Sequence, residues 1–335
     1  MISVDPLTKV ALGHRALHLA VADAGHIVAL SKEGVGSLFG PDHLAITTFD
    51  VASHSNGVAI SPAGDLLAVL EDDALALIRL PEFIDLHRID QTIESCRFSP
   101  SGRSLWSAFH VSGETAALEI RETKNWQFVA RAEVPDPFED SSLMLFRYPS
   151  EDRVVLWVAA GQDGQCLYWG HYNGSKLTVE QFPDLTDTTP PGFDRSGERF
   201  LVVSGDSVRH YQYPAGPELG RMIWPFDGDP PGETVSFVGA EHALIHSGEG
   251  NLFLIDLRQM RIADEIRVRG HEPRPVDELY PNLRGEGGLC SDLSTFVPLT
   301  SGGFLSVHCQ LPLKSITDWR DQLLTWRLRR IADSR

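Results

Sequence analysis

Cysteine, positive charge and long apolar runs are all scarce in this chain. The four cysteines, Cys96, Cys166, Cys290 and Cys309, include no CxxC pair, so neither a zinc knuckle nor a thioredoxin-type redox pair is written here. Reduced, buried thiols are the expectation, since free cysteine packs as a small hydrophobe; spacing alone leaves a Cys290–Cys309 disulfide open. Lysine and arginine number 29 against 46 aspartates and glutamates, a formal net charge of −17. A surface of that sign repels phosphate, which argues against wrapping nucleic acid or an anionic membrane. No apolar run approaches the roughly 18 residues that span a bilayer as a helix. The opening Met1-Ile2-Ser3-Val4-Asp5-Pro6 has no basic stretch followed by a long apolar one. The expectation is a cytoplasmic protein with no nucleic-acid or membrane partner.

Catalytic signatures are also missing. The sequence has no GxSxG elbow, no HExxH and no Walker-type phosphate loop. Gly34-Val-Gly36-Ser-Leu-Phe-Gly40 has one residue too many for a dinucleotide fingerprint and lies between β-type segments. The 13 histidines are scattered without ligand spacing. His242 and His246, four apart in a predicted strand, share a face but stand about 13 Å apart, too far for one ion. Asn173-Gly174-Ser175 matches a glycosylation acceptor and reads as a turn. No catalytic residue, metal ligand or cofactor is therefore assigned.

What is present is a repeat. With 42% of its 335 residues hydrophobic, the chain can bury a large core, either as two ordinary domains or as one closed β architecture. Three segments align: Val58-Ala-Ile-Ser-Pro-Ala-Gly64-Asp-Leu-Leu-Ala-Val-Leu70, Cys96-Arg-Phe-Ser-Pro-Ser-Gly102-Arg-Ser-Leu-Trp-Ser-Ala108, and Gly192-Phe-Asp-Arg-Ser-Gly197-Glu-Arg-Phe-Leu-Val-Val203. Each reads as a short strand, a tight turn whose glycine supplies positive φ, and a second apolar strand. Weaker copies place turns near 25, 151, 241 and 293, so seven units follow one another at steps of 38 to 52 residues. That is the size of a four-stranded propeller blade. Third strands follow, as at Leu75–Leu80 and Leu252–Leu257. Short strands at even spacing, with little helical periodicity, argue for radially repeated small sheets.

The repeat resembles a seven-bladed β-propeller of the WD-repeat type over roughly residues 10 to 312. The Ser99-Pro-Ser-Gly102 turn and the Gly13-His14 and Gly270-His271 pairs carry the resemblance. No third strand ends in Trp-Asp, so the family's buried Trp–Ser–His–Asp network is not carried over. The resemblance implies an all-β domain over 1–312, with Val4 to Leu12 supplying a strand to the last blade. It also implies that the turns between second and third strands, with the crossovers between blades, form the face on which this family often binds partners.

Six of the seven turns expected on that face carry acids: Glu33, Glu71-Asp72-Asp73, Glu114, Asp163, Asp206 and Glu249. The seventh is Ser301-Gly302-Gly303. Crossovers add Asp136, Glu139-Asp140, Asp184, Asp187, Asp227 and Asp229. Aspartate is an ordinary turn residue, but a ring of acids focuses a negative potential whatever each does locally. Its expected occupant is a protein with a basic surface. The longest crossover, His271 to Gly288, offers Tyr280, Arg274 and Arg284.

Residues 313–335 break the pattern. Ile316, Trp319, Leu323 and Trp326 recur at helical spacing, and six basic against three acidic residues reverse the charge. A short amphipathic helix is expected, docking a partner through Trp319 and Trp326 or packing on the ring; part of 323–331 forming a closing strand is the other arrangement. The combined reading is a non-enzymatic binding or scaffolding module whose site is Glu71, Asp72, Asp73, Glu114, Asp163, Asp206, Trp319 and Trp326. The alternative is a metal-dependent hydrolase or lactonase with its site at the channel mouth.

Overall fold

The computed structural model describes residues 1–5, 7–12, 18–31, 33–42, 44–51, 55–138, 141–147, 149–160, 164–186, 191–204, 206–213, 216–225, 234–246, 252–269, 296–298, 304–309, 321–326 and 328. Every regular element among them is a β-strand. The chain opens with β1 (Ile2–Val4) and β2 (Thr8–Ala11). Consecutive blades follow: β3 (His18–Val21), β4 (Ile27–Leu30), β5 (Val35–Phe39), β6 (Ala45–Asp50); then β7 (Ser55–Ile60), β8 (Leu66–Glu71), β9 (Leu75–Arg79), β10 (Ile84–Ile89). Next come β11 (Ser95–Phe98), β12 (Ser104–Ser112), β13 (Thr115–Glu122), β14 (Phe128–Pro135), and β15 (Ser142–Arg147), β16 (Arg153–Ala159), β17 (Gln165–Tyr172), β18 (Leu177–Thr186). The remainder are β19 (Gly192–Phe193), β20 (Arg199–Ser204), β21 (Ser207–Gln212), β22 (Glu218–Ile223), β23 (Thr234–Val238), β24 (His242–His246), β25 (Leu252–Asp256), β26 (Arg261–Val268), β27 (Phe296–Pro298), β28 (Phe304–Cys309) and β29 (Asp321–Trp326).

These strands form six four-stranded sheets and one five-stranded sheet, each an antiparallel meander in chain order apart from what the N-terminal segment adds. β1 lies parallel on the outer edge of β26, and β2 pairs antiparallel with β29 as the outermost strand of the β27–β29 sheet.

The turns repeat as the sequence suggests. Gly25, Gly64, Gly102 and Gly197 take φ of 90°, 78°, 73° and 74° between first and second strands, a conformation that costs an L side chain about 1–2 kcal/mol. In three of these turns a side-chain oxygen three residues before the glycine accepts from the backbone beyond it: Ser61 Oγ from Leu66 N at 2.9 Å, Ser99 Oγ from Ser104 N at 3.2 Å, and Asp194 Oδ1 from Arg199 N at 3.2 Å.

The core lies between neighbouring sheets. Inner strands are buried on both faces and so read as continuous apolar runs; Val154 to Ala159 of β16 are all buried. Outer strands such as β6 and β10 are mostly exposed. Val28, Leu30 and Leu38 meet Leu67 and Val69 at one junction, and Trp106, Leu118 and Ile120 meet Leu145, Leu156 and Tyr168 at another. Full burial of each such aliphatic side chain is worth about 2 kcal/mol. Between the β15–β18 and β19–β22 sheets the filling is aromatic, with Trp169 edge-on to Phe200 at 5.5 Å between ring centres.

Each third-to-fourth strand pairing from β5–β6 through β25–β26 shifts register once. Ile46, Leu86, Val129, Leu219 and Ala263 are the residues passed over in five of them. Such bulges bend and twist the outer strand, which blunts its open edge against pairing with other chains.

The C-terminal segment corrects one expectation. No helix occurs among the described residues, and Asp321–Trp326 is a strand between β28 and β2. The spacing from Ile316 to Trp326 fits a helix, but Leu323-Leu324-Thr325-Trp326 is also a compact apolar run, and such short runs are ambiguous by period. β28 pairs with all of Asp321–Trp326 on one side and β2 with Gln322 to Thr325 on the other, and pairing of that kind overrides local propensity. The tail therefore contributes to the sheet that the N-terminal segment enters.

Candidate functional site

First strands run away from the face that carries the crossovers, and second strands return to it. The second-to-third turns and the crossovers consequently share one face, the upper face; the glycine turns lie on the lower one. Where a turn sits is thus fixed by its place in the repeat.

On the upper face the β8–β9 turn carries three of the expected residues, and they differ. Glu71 is only 7% exposed and ion-pairs with Arg88, which reaches across from β10. The same guanidinium lies 3.4 Å from both Asp73 Oδ1 and Asp90 Oδ1. Asp72 is exposed and accepts a hydrogen bond from Asn56 Nδ2 at 3.1 Å. Glu114 stands exposed in the β12–β13 turn. Asp206, in the β20–β21 turn, has a side chain 74% exposed with Arg221 Nη2 at 3.7 Å. Glu33 is exposed in the β4–β5 turn. Asp163, Trp319, Glu249 and the 271–288 crossover lie outside the described residues. Trp326 is the last residue of β29. The expected tryptophan and carboxylate groups are thus not brought together in what is described.

One cluster on this face was not expected from the sequence. At the junction of the β11–β14 and β15–β18 blades, His110 from the end of β12 stands between Glu94, which precedes β11, and Asp136, which follows β14. Its Nε2 is 3.0 Å from Glu94 Oε1 and 3.0 Å from the Ser141 carbonyl; its Nδ1 is 3.3 Å from Asp136 Oδ2. Ser141 Oγ donates to Asp136 Oδ2 at 2.6 Å, and Phe138 N–H donates to Asp136 Oδ1 at 3.2 Å. Leu143 N–H donates to Glu94 Oε2 at 3.1 Å. Burial pushes the Glu94 carboxyl up from its ordinary value, the His110 charge and the Leu143 N–H pull it down, and Asp136 adds to the rise.

The chemistry of that cluster is a clamp. A carbonyl oxygen only accepts, so His110 Nε2 carries hydrogen and points it at Ser141 O and Glu94. The Ser141 hydroxyl gives its hydrogen to Asp136 and not to the imidazole. Nucleophilic catalysis needs the serine hydrogen on the base, an arrangement this cluster does not make. Its bonds instead tie both ends of one crossover to the blade before it. Only Asp136 was legible as a crossover acid, because Glu94 and His110 reach it from separate strand ends with no characteristic spacing.

Elsewhere, the Cys96 and Cys166 thiols are buried, Cys166 Sγ accepts a hydrogen bond from Gln181 Nε2 at 3.4 Å, and burial pushes the Cys96 thiol up to about 12, so it stays protonated. Among the described residues no group of three or more His, Cys, Asp or Glu is arranged to hold a metal ion, and no helix is long and apolar enough to cross a membrane.

No protein-family model matches the chain, and no curated protein matches its sequence. Among solved structures, 1478 chains match, so the architecture is widespread and identifies no single activity. One is a chain titled Kuenenia stuttgartiensis hydrazine synthase, similar at a TM-score of 0.55 and 11% identity over 72% of this chain and 76% of that one. At that identity the likeness concerns the fold alone. Sheet order and structural likeness together make this chain a β-propeller of four-stranded antiparallel blades.

Proposed function

We propose that this chain is a closed seven-bladed propeller of the WD-repeat type, cytoplasmic and non-enzymatic, that presents its upper face to a protein with a basic surface. The observation that carries this reading is the set of carboxylates at Asp72, Asp73, Glu114 and Asp206. All are exposed and all stand on tight turns of the same face. Arg88 and Arg221 offset part of the charge at Asp73 and Asp206, and Arg269 faces Asp5; Asp72 and Glu114 add exposed negative charge beside them. Hairpins anchored in packed blades hold these charges at low entropic cost, and a rim of one sign accelerates encounter with the opposite sign. The ring would close through β2 on β29.

The test is binding of a lysine-rich peptide to the full chain across a salt series. In the quadruple variant Asp72→Asn, Asp73→Asn, Glu114→Gln, Asp206→Asn, affinity should fall about tenfold or more and its salt dependence should flatten. The unfolding midpoint should move little, because exposed surface substitutions change stability by about 0.5 kcal/mol or less each. Unchanged affinity in the variant would remove the acidic rim as the binding site.

A further inference from the structure

Asn173 and Gly174 form the exposed turn between β17 and β18 on the lower face. The same dipeptide occurs once more, as Asn56-Gly57 in β7. An Asn-Gly pair can convert itself: the glycine amide nitrogen attacks the asparagine side-chain carbon Cγ. Three local factors set how readily. The nitrogen must be free to approach, negative charge must be stabilised on Oδ1, and Nδ2 must be free to leave.

At Asn173 these factors coincide. Oδ1 accepts from the Ser175 N–H at 3.0 Å, the Ser175 hydroxyl at 2.9 Å and the Lys176 N–H at 2.9 Å. Three donors on the oxygen that gains charge make a small oxyanion cradle. Gly174 has φ of 89°, and a Cβ built on it would meet nothing within 4 Å, so the backbone has room to swing. Among the described residues neither Gly174 N nor Asn173 Nδ2 is engaged in a hydrogen bond.

At Asn56 they oppose the reaction. Its Nδ2 donates to Asp72 Oδ1 at 3.1 Å, which holds the leaving nitrogen and sets a carboxylate beside the charge that would form. Gly57 is buried opposite Leu70 in the β7–β8 ladder, and a Cβ on it would meet Leu70 Cδ1 at 2.8 Å.

We propose that the β17–β18 turn is a self-modifying site, at which Asn173 deamidates in the folded protein while Asn56 is protected. The Gly174 N–Cγ bond forms and the Cγ–Nδ2 bond breaks; the proton lost by Gly174 N leaves with Nδ2 as ammonia. Water then adds to either carbonyl of the resulting imide ring and opens it to aspartate or isoaspartate. No oxidant or cofactor enters. Each event adds one negative charge to the lower face, and the isoaspartate product lengthens a main chain now closed by the Asn173 N–H to Lys176 carbonyl bond of 3.2 Å.

The experiment holds the full chain in mildly alkaline buffer and follows both asparagines by peptide mass spectrometry, with isoaspartate quantified, in the native state and in urea. In the native state Asn173 should convert about tenfold faster than Asn56 or more, and faster than it does in urea, where the two sites should converge. Ser175→Ala removes one donor from an exposed position and should slow native Asn173 by about fivefold, while leaving Asn56 unchanged. Equal native rates at the two sites would overturn the proposal. So would a native Asn173 slower than the unfolded one, or a Ser175→Ala rate equal to wild type.

Discussion

On the lower face, Ser61, Ser99 and Asp194 each turn a side-chain oxygen back onto their own turn, and Gly64, Gly102 and Gly197 each donate a backbone hydrogen bond to the residue three before, at 2.9, 2.9 and 3.0 Å. The upper-face turns share no such scheme. Glu71 is buried against Arg88, Asp72 takes a hydrogen from Asn56, Asp206 faces Arg221 across 3.7 Å, and Glu114 projects outward. The repeated turn satisfies its own backbone and has little left to offer a partner. The varied turns satisfy their backbone differently from one another, Ser31 Oγ accepting from Val35 N–H in one and Ser207 Oγ donating to the Ser204 carbonyl in another, and several of them carry exposed carboxylates outward. Within one repeat, structure is thus concentrated at one end of each blade and variation at the other.

The largest expected effect sets a lower turn against an upper one. Gly64→Ala puts a methyl into a left-handed residue and 2.3 Å from His26 Nδ1, which should cost about 3 kcal/mol. Gly113→Ala, in the upper β12–β13 turn, meets nothing within 4 Å and should change stability by less than about 1 kcal/mol. Urea midpoints of the two variants measure the difference, and equal losses would break the contrast.

A smaller effect belongs to the upper-face exception. Asp136→Ala leaves the Ser141 hydroxyl and the Phe138 N–H without their acceptor at a buried site, for a loss of about 1–3 kcal/mol. Hydrogen exchange should localise the loosening to the crossover between β14 and β15. A loss spread evenly over the blade would argue against the clamp.

The smallest effect is in pH dependence, where the faces differ in sign. Burial and the Arg199 charge hold His210 below the usual histidine range, with Asp194 pulling the other way. Burial raises the Asp194 carboxyl, but hydrogen bonds from Arg199 and Ser196 outweigh it and keep it below the usual carboxylate range. Both groups bind fewer protons folded than unfolded, so acid weakens the fold. The His210 contribution begins to be lost below the unfolded value of about 6.5, and that of Asp194 only as pH falls through the carboxylate range. Glu94, raised by burial, binds more protons folded; its contribution is lost as pH rises through its folded value. Stability curves from neutral to acid pH should therefore flatten near their neutral end in His210→Gln and steepen just above the ordinary carboxylate range in Glu94→Gln. Unchanged slopes would show that these groups do not set the pH response.

The legible parts of the fold were those whose cause is local. Positive φ at Gly64, Gly102 and Gly197 is demanded within a few residues, and so is visible in the turns around Ser61, Ser99 and Asp194. Leu252–Asp256 is a strand where its apolar run says it should be. For Asp321–Trp326 the sequence leaves a helix and a closing strand both open, because its conformation is chosen by β28 and β2, which lie elsewhere in the chain. Of the candidate site, the upper-face position of Asp72, Asp73, Glu114 and Asp206 followed from the order of the repeat. That Glu71 is buried and paired did not, since Arg88 reaches it from two strands further on. Nor did the Glu94–His110–Asp136 clamp.

The sequence by itself determined the repeat, the all-β character and the face on which each turn lies, because strand period, turn glycine and unit length are short-range properties of the backbone. Tertiary structure alone decided which carboxylates are spent within the fold and which remain exposed. It also decided that the two Asn-Gly pairs sit in opposite surroundings and that Asp321–Trp326 is a strand and not a helix. Those outcomes depend on which strands come together, and the energy of a buried charge or an unpaired edge is set by neighbours that are distant along the chain.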